Sequence, residues 1–340
     1  MRSAGEFNLF EQAGDDLIAW LEASGQMTRI DASQPLIVEG NLSSSVYVLV
    51  DGELSVQTTD PSGNQKQLAI LGHGAIVGEM SWLENRPAVA TVLALSPCKL
   101  LALKPSVLER LAEDDPKLSA DLHWIIARKL ASQINRQNAW IHRNSEAGVE
   151  IEPLRKVFVL FSKLNDRDIN LLATLGSLRR IKPGDRLLMQ GEKVSSIYLI
   201  LSGEAEIFVS LNGGNKQVGS SRRGELLGEL TLLIADSQGA TASVISSNGM
   251  ELLEINKQQL KLAFHQRPDF AARFYRSLSC MLSQRSRDQL LSRQLATRSG
   301  AAEQGNDDDQ LDLNQLGIIN RAGQRFSNLC EHFQGSSGRP

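Results

Sequence analysis

Cysteine is scarce in this chain, aromatic side chains make up 5% of it, and no continuous apolar run reaches the length of a membrane span. Each shortage excludes a class of protein. A transmembrane helix needs about 18–20 consecutive apolar residues, so no membrane span is expected. Cys98, Cys280 and Cys330 are odd in number and far apart, with no Cys-x-x-Cys pair and no histidines at metal spacing. They read as structural thiols, and no metal site is expected. The five histidines, His73, His123, His142, His265 and His332, are scattered without a paired base. Ser81 follows Gly78-Glu79-Met80, which is not the frame of a nucleophile elbow. No catalytic residue, enzymatic activity or cofactor is therefore expected. Positive charge is not in excess either, with 36 Lys and Arg against 39 Asp and Glu and a net charge of −3. That balance speaks against a nucleic-acid partner, which draws on clustered cations. The first residues, Met1-Arg2-Ser3-Ala4-Gly5-Glu6-Phe7, lack the apolar core of a secretion signal, so a cytoplasmic location is expected.

What the chain has is repetition. Leu36-Ile37-Val38-Glu39-Gly40, followed by Ser44-Ser45-Val46-Tyr47-Val48-Leu49-Val50-Asp51-Gly52-Glu53, recurs 151 residues later. The second version is Leu187-Leu188-Met189-Gln190-Gly191, followed by Ser195-Ser196-Ile197-Tyr198-Leu199-Ile200-Leu201-Ser202-Gly203-Glu204. A fixed period with glycines in register means two copies of one domain. Each copy then carries a Gly-Glu pair opening a short apolar turn, Gly78-Glu79-Met80-Ser81-Trp82-Leu83 and Gly228-Glu229-Leu230-Thr231-Leu232-Leu233.

In the first copy Leu17, Ile18, Trp20 and Leu21 fall at helical spacing, predicting an opening helix over residues 15–23. Residues 27–103 hold short Val-, Ile- and Leu-rich runs separated by Gly, Asn, Asp and Pro, the turn rhythm of a small β-barrel. Weak alternation over residues 46–50 implies burial on both faces. Pro105 starts a helix, and Leu118, Leu122, Ile125, Ile126, Leu130 and Ile134 trace a longer apolar stripe. The second copy repeats the order: a helix over 166–175 capped by Asn165, a barrel over 178–255, and helices from Lys257. Phe270, Phe274, Leu278, Met281 and Leu282 stripe its last long helix, which is expected to fray near residue 298. The expected domains are 1–142 and 153–299, joined by a linker over 143–152, with 300–340 a flexible acidic linker and a short C-terminal segment. In that segment Leu311, Leu313, Leu316, Ile318, Ile319, Phe326 and Leu329 suit a short helix docked on either domain or on a partner. The two helical stripes suit either core packing or a two-fold interface.

The order helix, eight-stranded barrel with an internal Gly-Glu turn, then helices resembles a cyclic nucleotide-binding domain in each copy. That family includes the catabolite activator protein and the regulatory subunits of protein kinase A. Residues 35–52 match its opening strands, and the run from Gly78-Glu79 through Arg86-Pro87-Ala88-Val89-Ala90-Thr91-Val92 matches its phosphate-binding cassette. The resemblance implies a mainly β fold with flanking α: two tandem jelly-roll-like β-barrels, each with N- and C-terminal helices. It implies ligand contacts at Gly78, Glu79, Met80, Ser81, Arg86, Ala88, Ala90 and Thr91, and at Gly228, Glu229, Leu230 and Thr231. A short helix starting there aims unpaired N–H groups at an anion, and glycine lets a ligand approach. Glu79 and Glu229 either accept a hydrogen bond from a ribose hydroxyl, the role the family assigns, or only tie down the cassette backbone.

One departure bears on function. The family places an arginine directly before Ala-Ala-Thr or Ala-Ala-Ser, where it pairs with the cyclic phosphate; the first copy has Ala88 there. In the second copy two alignments are open, giving Gln238 or Ala240. A charge-assisted bond of this kind contributes about 1.5–3 kcal/mol, or about 10- to 150-fold in affinity. Binding of cAMP or cGMP is therefore expected to be weak or confined to one copy. Arg86 is the candidate substitute, set against a plain role as a turn residue beside Pro87. In the second copy Arg222 and Arg223 precede the cassette on a turn, and Asp236 adds an opposing charge. The expectation is a non-catalytic regulatory protein that senses a cyclic nucleotide and relays it through the helices after each barrel. The alternative is an interaction scaffold with vestigial pockets that docks a partner through the barrels and the C-terminal tail. A protein partner is expected, and by resemblance a homodimer. A DNA-reading domain does not fit the acidic tail after residue 300.

Overall fold

The computed structural model describes residues 7–59, 65–143, 159–211, 214–234, 239–296 and 313–334. The expected linker from 144 to 152 and the acidic stretch from 300 to 312 lie outside them. By contacts the chain divides into two compact units, Met1–Gln133 with Leu282–Ser299, and Ile134–Met281 with Gly300–Pro340. The division by repeat and the division by contact thus differ over residues 134–142, 282–299 and 300–340.

The first unit opens with helix α1 (Asp15–Ser24), which buries Leu17 and Leu21. Strands β1 (Gln26–Ile30), β2 (Pro35–Ile37), β3 (Val46–Asp51), β4 (Leu54–Thr59), β5 (Gln65–Leu71) and β6 (Ile76–Val77) follow, then helix α2 (Glu79–Glu84), β7 (Thr91–Ala94), β8 (Cys98–Leu103), α3 (Pro105–Asp114) and α4 (Pro116–Arg143). The expected jelly roll is present, but its eight strands do not close into one barrel. They form two antiparallel four-stranded sheets, ordered β1-β8-β3-β6 and β2-β7-β4-β5. The chain passes between sheets at Gly52, whose φ is +100° and where a Cβ would meet Pro97 O and Cys98 Sγ at 2.7 Å. Only glycine fits that crossing. Tyr47, Leu49, Leu54, Val77, Val92 and Leu100 fill the space between the sheets. Val46 to Leu49 are buried on both faces, as the weak alternation implied, because α2 packs on β3.

The second unit contains α5 (Val159–Lys163), α6 (Asp166–Leu175), β9 (Gly176–Ile181), β10 (Arg186–Leu188), β11 (Ser196–Leu211), β12 (Gly214–Arg222), β13 (Leu226–Leu227), α7 (Leu230–Leu233), β14 (Ser243–Asn256), α8 (Lys257–Gln266), the part of α9 (Pro268–Ala296) up to Met281, and α10 (Leu313–Gln334). Here the two sheets of the first copy merge. β11 and β14 run unbroken past the positions where β3/β4 and β7/β8 are separate, giving one six-stranded sheet. Register shifts at Ile200/Ser202 and Gly203/Ala205 supply the bend. Asn165 and Asp168 form the capping box of α6, and Asp168, fully buried, is gripped by Arg273 at 2.6 and 2.9 Å.

The C-terminal cluster docks within this unit. α10 packs on α5 and α6. Phe326 lies edge-on to Phe161 at 5.1 Å, Leu329 is buried, and Arg325 pairs with Asp166. Leu311 and the side chains of Leu313, Leu316, Ile318 and Ile319 lie outside the described residues. Of the two helical stripes, Leu122, Ile125, Ile126, Leu130, Ile134, Phe270, Phe274, Leu278 and Leu282 are buried in the single chain, while Leu118 and Met281 are half-buried.

Candidate functional site

The cassette of the first unit is built on backbone constraint. Gly78 precedes α2 with φ 85° and ψ −6°, and a Cβ there would stand 2.6 Å from Ser45 O. Crowding by the chain itself accounts for this glycine without appeal to a ligand. Asn85, also left-handed at φ 51°, ends the helix. Ser81 Oγ donates to Arg86 O at 2.6 Å and accepts from the Ser43 N–H, which folds the return limb against α2. Along that limb the Ala88 N–H donates to Asn41 O, the Gly40 N–H donates to Ala88 O, and Thr91 Oγ1 accepts from the Glu39 N–H. Gly78, Glu79, Met80, Ser81, Arg86, Ala88, Ala90 and Thr91 thus belong to one continuous turn and its anchoring strand.

The second cassette repeats this network and settles the open alignment. The Gly191 N–H donates to Ala240 O, the Ala240 N–H donates to Glu192 O, and Ser243 Oγ accepts from the Gln190 N–H. Ala240 therefore corresponds to Ala88; Gln238 and Asp236 lie outside the described residues. Gly228 has φ +77°, Glu229 and Leu230 are buried, and Thr231 Oγ1 donates to Gly228 O at 2.6 Å. Arg222 pairs with Glu204, and Arg223 stacks over Phe326 at 5.0 Å, so both are engaged away from the cassette.

Two charged pairs tie down the first cassette, and neither was anticipated. Glu79, at the start of α2, is 2% exposed. Lys129 of α4 places Nζ 2.5 Å from its Oε1 and also donates to Ile76 O at 2.7 Å. Glu84, at the end of α2, is half-buried as a residue but its side chain is 1% exposed. Arg287 of α9 donates from Nε to its Oε2 at 2.6 Å and from Nη1 to Pro87 O at 2.8 Å, and the Ser283 hydroxyl donates to Oε1. Burial pushes the Glu84 carboxyl above its ordinary range, while Arg287, Ser283 and, more weakly, Arg86 pull it down. Half-buried Arg86 acts on Glu84 from within the turn.

The copies differ at these points. Lys129 stands 13 residues after the first residue of α4, and the same step along α9 gives Met281. Glu84 stands six residues after Gly78, and six after Gly228 is Ile234. In the second unit Lys257, opening α8, instead donates to Thr231 O at 3.2 Å. A faint sequence signal existed for Lys129, which falls four residues after Ile125 and beside Leu130 on the apolar face of α4. Among the described residues no group of three His, Cys, Asp or Glu could hold a metal ion, and no helix is long and apolar enough to cross a membrane.

A family model described as cyclic nucleotide-binding domain matches residues 27–115 and 178–267. The chain is 26% identical over 244 residues to a cAMP-dependent protein kinase regulatory subunit of Mycosarcoma maydis, covering 68% of this chain and 40% of that protein. It spans about half the length, or less, of the curated relatives it matches. Among solved structures, the regulatory domain of Toxoplasma gondii PKA with cAMP matches at 20% identity and a TM-score of 0.30, over 77% of this chain and 88% of that one. The catabolite activator protein of Thermus thermophilus matches at 22% identity and a TM-score of 0.36, over 51% of this chain and 75% of that one.

Proposed function

The chain belongs to the cyclic nucleotide-binding domain family, with two such domains in tandem, and from that premise we propose that it is a non-catalytic regulatory protein whose first cassette takes up cAMP or cGMP. Affinity is low, because the cassette arginine is replaced by Ala88, and the second cassette binds more weakly or not at all. The observation that carries this reading is the Lys129–Glu79 pair. It joins the carboxylate that would receive a ribose hydroxyl directly to the helix after the strands. A ligand that competes for Glu79 changes the seating of α4, and a ligand acts on such a protein only by binding one arrangement more tightly than another. The ligand-contacting set is Gly78, Glu79, Met80, Ser81, Arg86, Ala88, Ala90 and Thr91, with Gly228, Glu229, Leu230 and Thr231 as the weaker counterpart. A protein partner fits the likeness to kinase regulatory subunits, and a cytoplasmic setting suits three buried cysteines that form no disulfide. The homodimer expectation rests on the family resemblance alone, because most of the residues in the two helical stripes are buried in the single chain.

A second reading is favoured by the closure of Glu79 and Glu229, at 2% and 3% exposure. It makes both pockets vestigial and the chain an interaction scaffold. With Phe326 and Leu329 buried in the second unit, such a scaffold would use its outer faces rather than the apolar side of α10. Titration calorimetry with cAMP and cGMP separates the two readings. The sensor requires saturable heat that Glu79→Ala abolishes and Glu53→Ala leaves intact. No heat up to millimolar ligand refutes it and leaves the scaffold.

A further inference from the structure

Both ends of the cassette helix α2 are held by charged groups from distant helices, and those helices are joined to each other. Glu79 is held by Lys129 of α4. One turn further along α4, Gln133 Nε2 donates to Ser286 Oγ of α9 at 2.9 Å. The next residue of α9, Arg287, grips Glu84 and Pro87, with Ser283 one turn before it. All of these residues belong to the first compact unit. The contacts close a ring that runs from the cassette through α4 and the end of α9 back to the cassette.

We propose that the end of α9 is an autoinhibitory latch on the first cassette, in which Arg287 and Ser283 hold Glu84 and Pro87 and so keep Glu79 closed against cyclic nucleotide. The proposal rests on the reading of that cassette as a nucleotide site. Three observations support it. The Arg287 and Glu84 side chains are 5% and 1% exposed, so the pair is little screened by solvent and losing one partner would strand a buried charge. Pro87 directly precedes Ala88 on the limb that would face the phosphate, so the Arg287–Pro87 bond fixes the backbone a ligand must meet. Among the described residues Arg287 Nη2 is sealed from solvent and meets no acceptor, an unmet donor that offsets part of the grip. The second copy has Ile234 in place of Glu84, so the device belongs to the first cassette alone.

The sign follows from the geometry. Ligand access to Glu79 requires the cassette to move off Lys129, and the latch resists that movement. Removing the latch therefore raises affinity, and by reciprocity saturating ligand loosens the latch. The test is calorimetric titration of the full chain with cAMP. It compares the unsubstituted protein, the double variant Glu84→Gln/Arg287→Met, which leaves no unpaired buried charge, and Arg325→Ala, which cuts a contact of α10 in the second unit. Hydrogen exchange over residues 282–296 is followed with and without cAMP. We expect the double variant to bind about 5- to 150-fold more tightly. We also expect Arg325→Ala to be unchanged and exchange over 282–296 to speed up with cAMP. Unchanged or weaker binding by the double variant, an equal gain in Arg325→Ala, or exchange indifferent to cAMP overturns the latch while the nucleotide reading stands. Absence of binding in both the unsubstituted protein and the double variant overturns both.

Discussion

Replacing Lys129 by methionine is the sharpest test of how the first cassette is held together. The Glu79 side chain is 3% exposed and that of Lys129 14%, and the ammonium also serves Ile76 O. The substitution leaves a buried carboxylate without its cation and a carbonyl without that donor, and loss of one partner from a buried pair costs about 3–5 kcal/mol. Three of the four tryptophans, Trp20, Trp82 and Trp124, lie in the first unit, so tryptophan emission in urea reports mainly on its unfolding. With a denaturant slope of about 2 kcal/mol/M, the midpoint should fall by about 1.5–2.5 M. The double variant Lys129→Met/Glu79→Gln removes the stranded charge and should recover most of the loss. A fall below about 0.5 M for the single variant would refute the reasoning. So would a double variant no more stable than the single one, which would mean that packing rather than charge accounts for the effect.

Two further outcomes concern the second unit. Phe326→Ala should cost about 3–5 kcal/mol of α10 docking, because the ring is 1% exposed between Phe161 and Arg223; hydrogen exchange over residues 320–333 should rise to that of an undocked helix, and protection left intact would disprove the docking. Burial pushes Asp269 up, but hydrogen bonds and charge from Arg267 and Arg273 outweigh it and hold the carboxyl at about 2 against an ordinary 3.8. A depressed carboxyl contributes stability that is present above about pH 4 and lost as pH falls through about 2. Urea midpoints measured by circular dichroism at pH 5 and pH 2.5 should therefore differ less in Asp269→Asn than in the unsubstituted protein, and equal differences would exclude a role for this group.

Much of the fold was legible because its signals are local. Glycines in register exposed the repeat, and the helix starts at Asp15, Pro105 and Asp166 follow from spacing, Pro chemistry and an Asn cap. What escaped depends on neighbours far away in the chain. Asp51-Gly52 and Ser202-Gly203 occupy the same place in the repeated run, yet the first divides two strands and the second bends one. The difference lies in β14, which continues alongside β11 across the bend, whereas β7 and β8 stop at Ala94 and resume at Cys98. The apolar face of α10 was visible, but its destination required Phe161, 165 residues earlier.

The site divides along the same line, and here the consequence is functional. The turn from Gly78 to Thr91 was readable because backbone sterics and short-range hydrogen bonds shape it. Its charges were read the same way, and Arg86 was weighed because it lay close in sequence. The cations that reach the cassette carboxylates come instead from 50 and 203 residues away. Ion pairing answers to distance and burial in space, and a buried carboxylate draws in whatever cation the packed helices present. The loss of an arginine at position 88 therefore does not measure how much positive charge surrounds the cassette. It measures only how little of that charge is free for a ligand, since Lys129 and Arg287 are each committed to a carboxylate of the cassette itself.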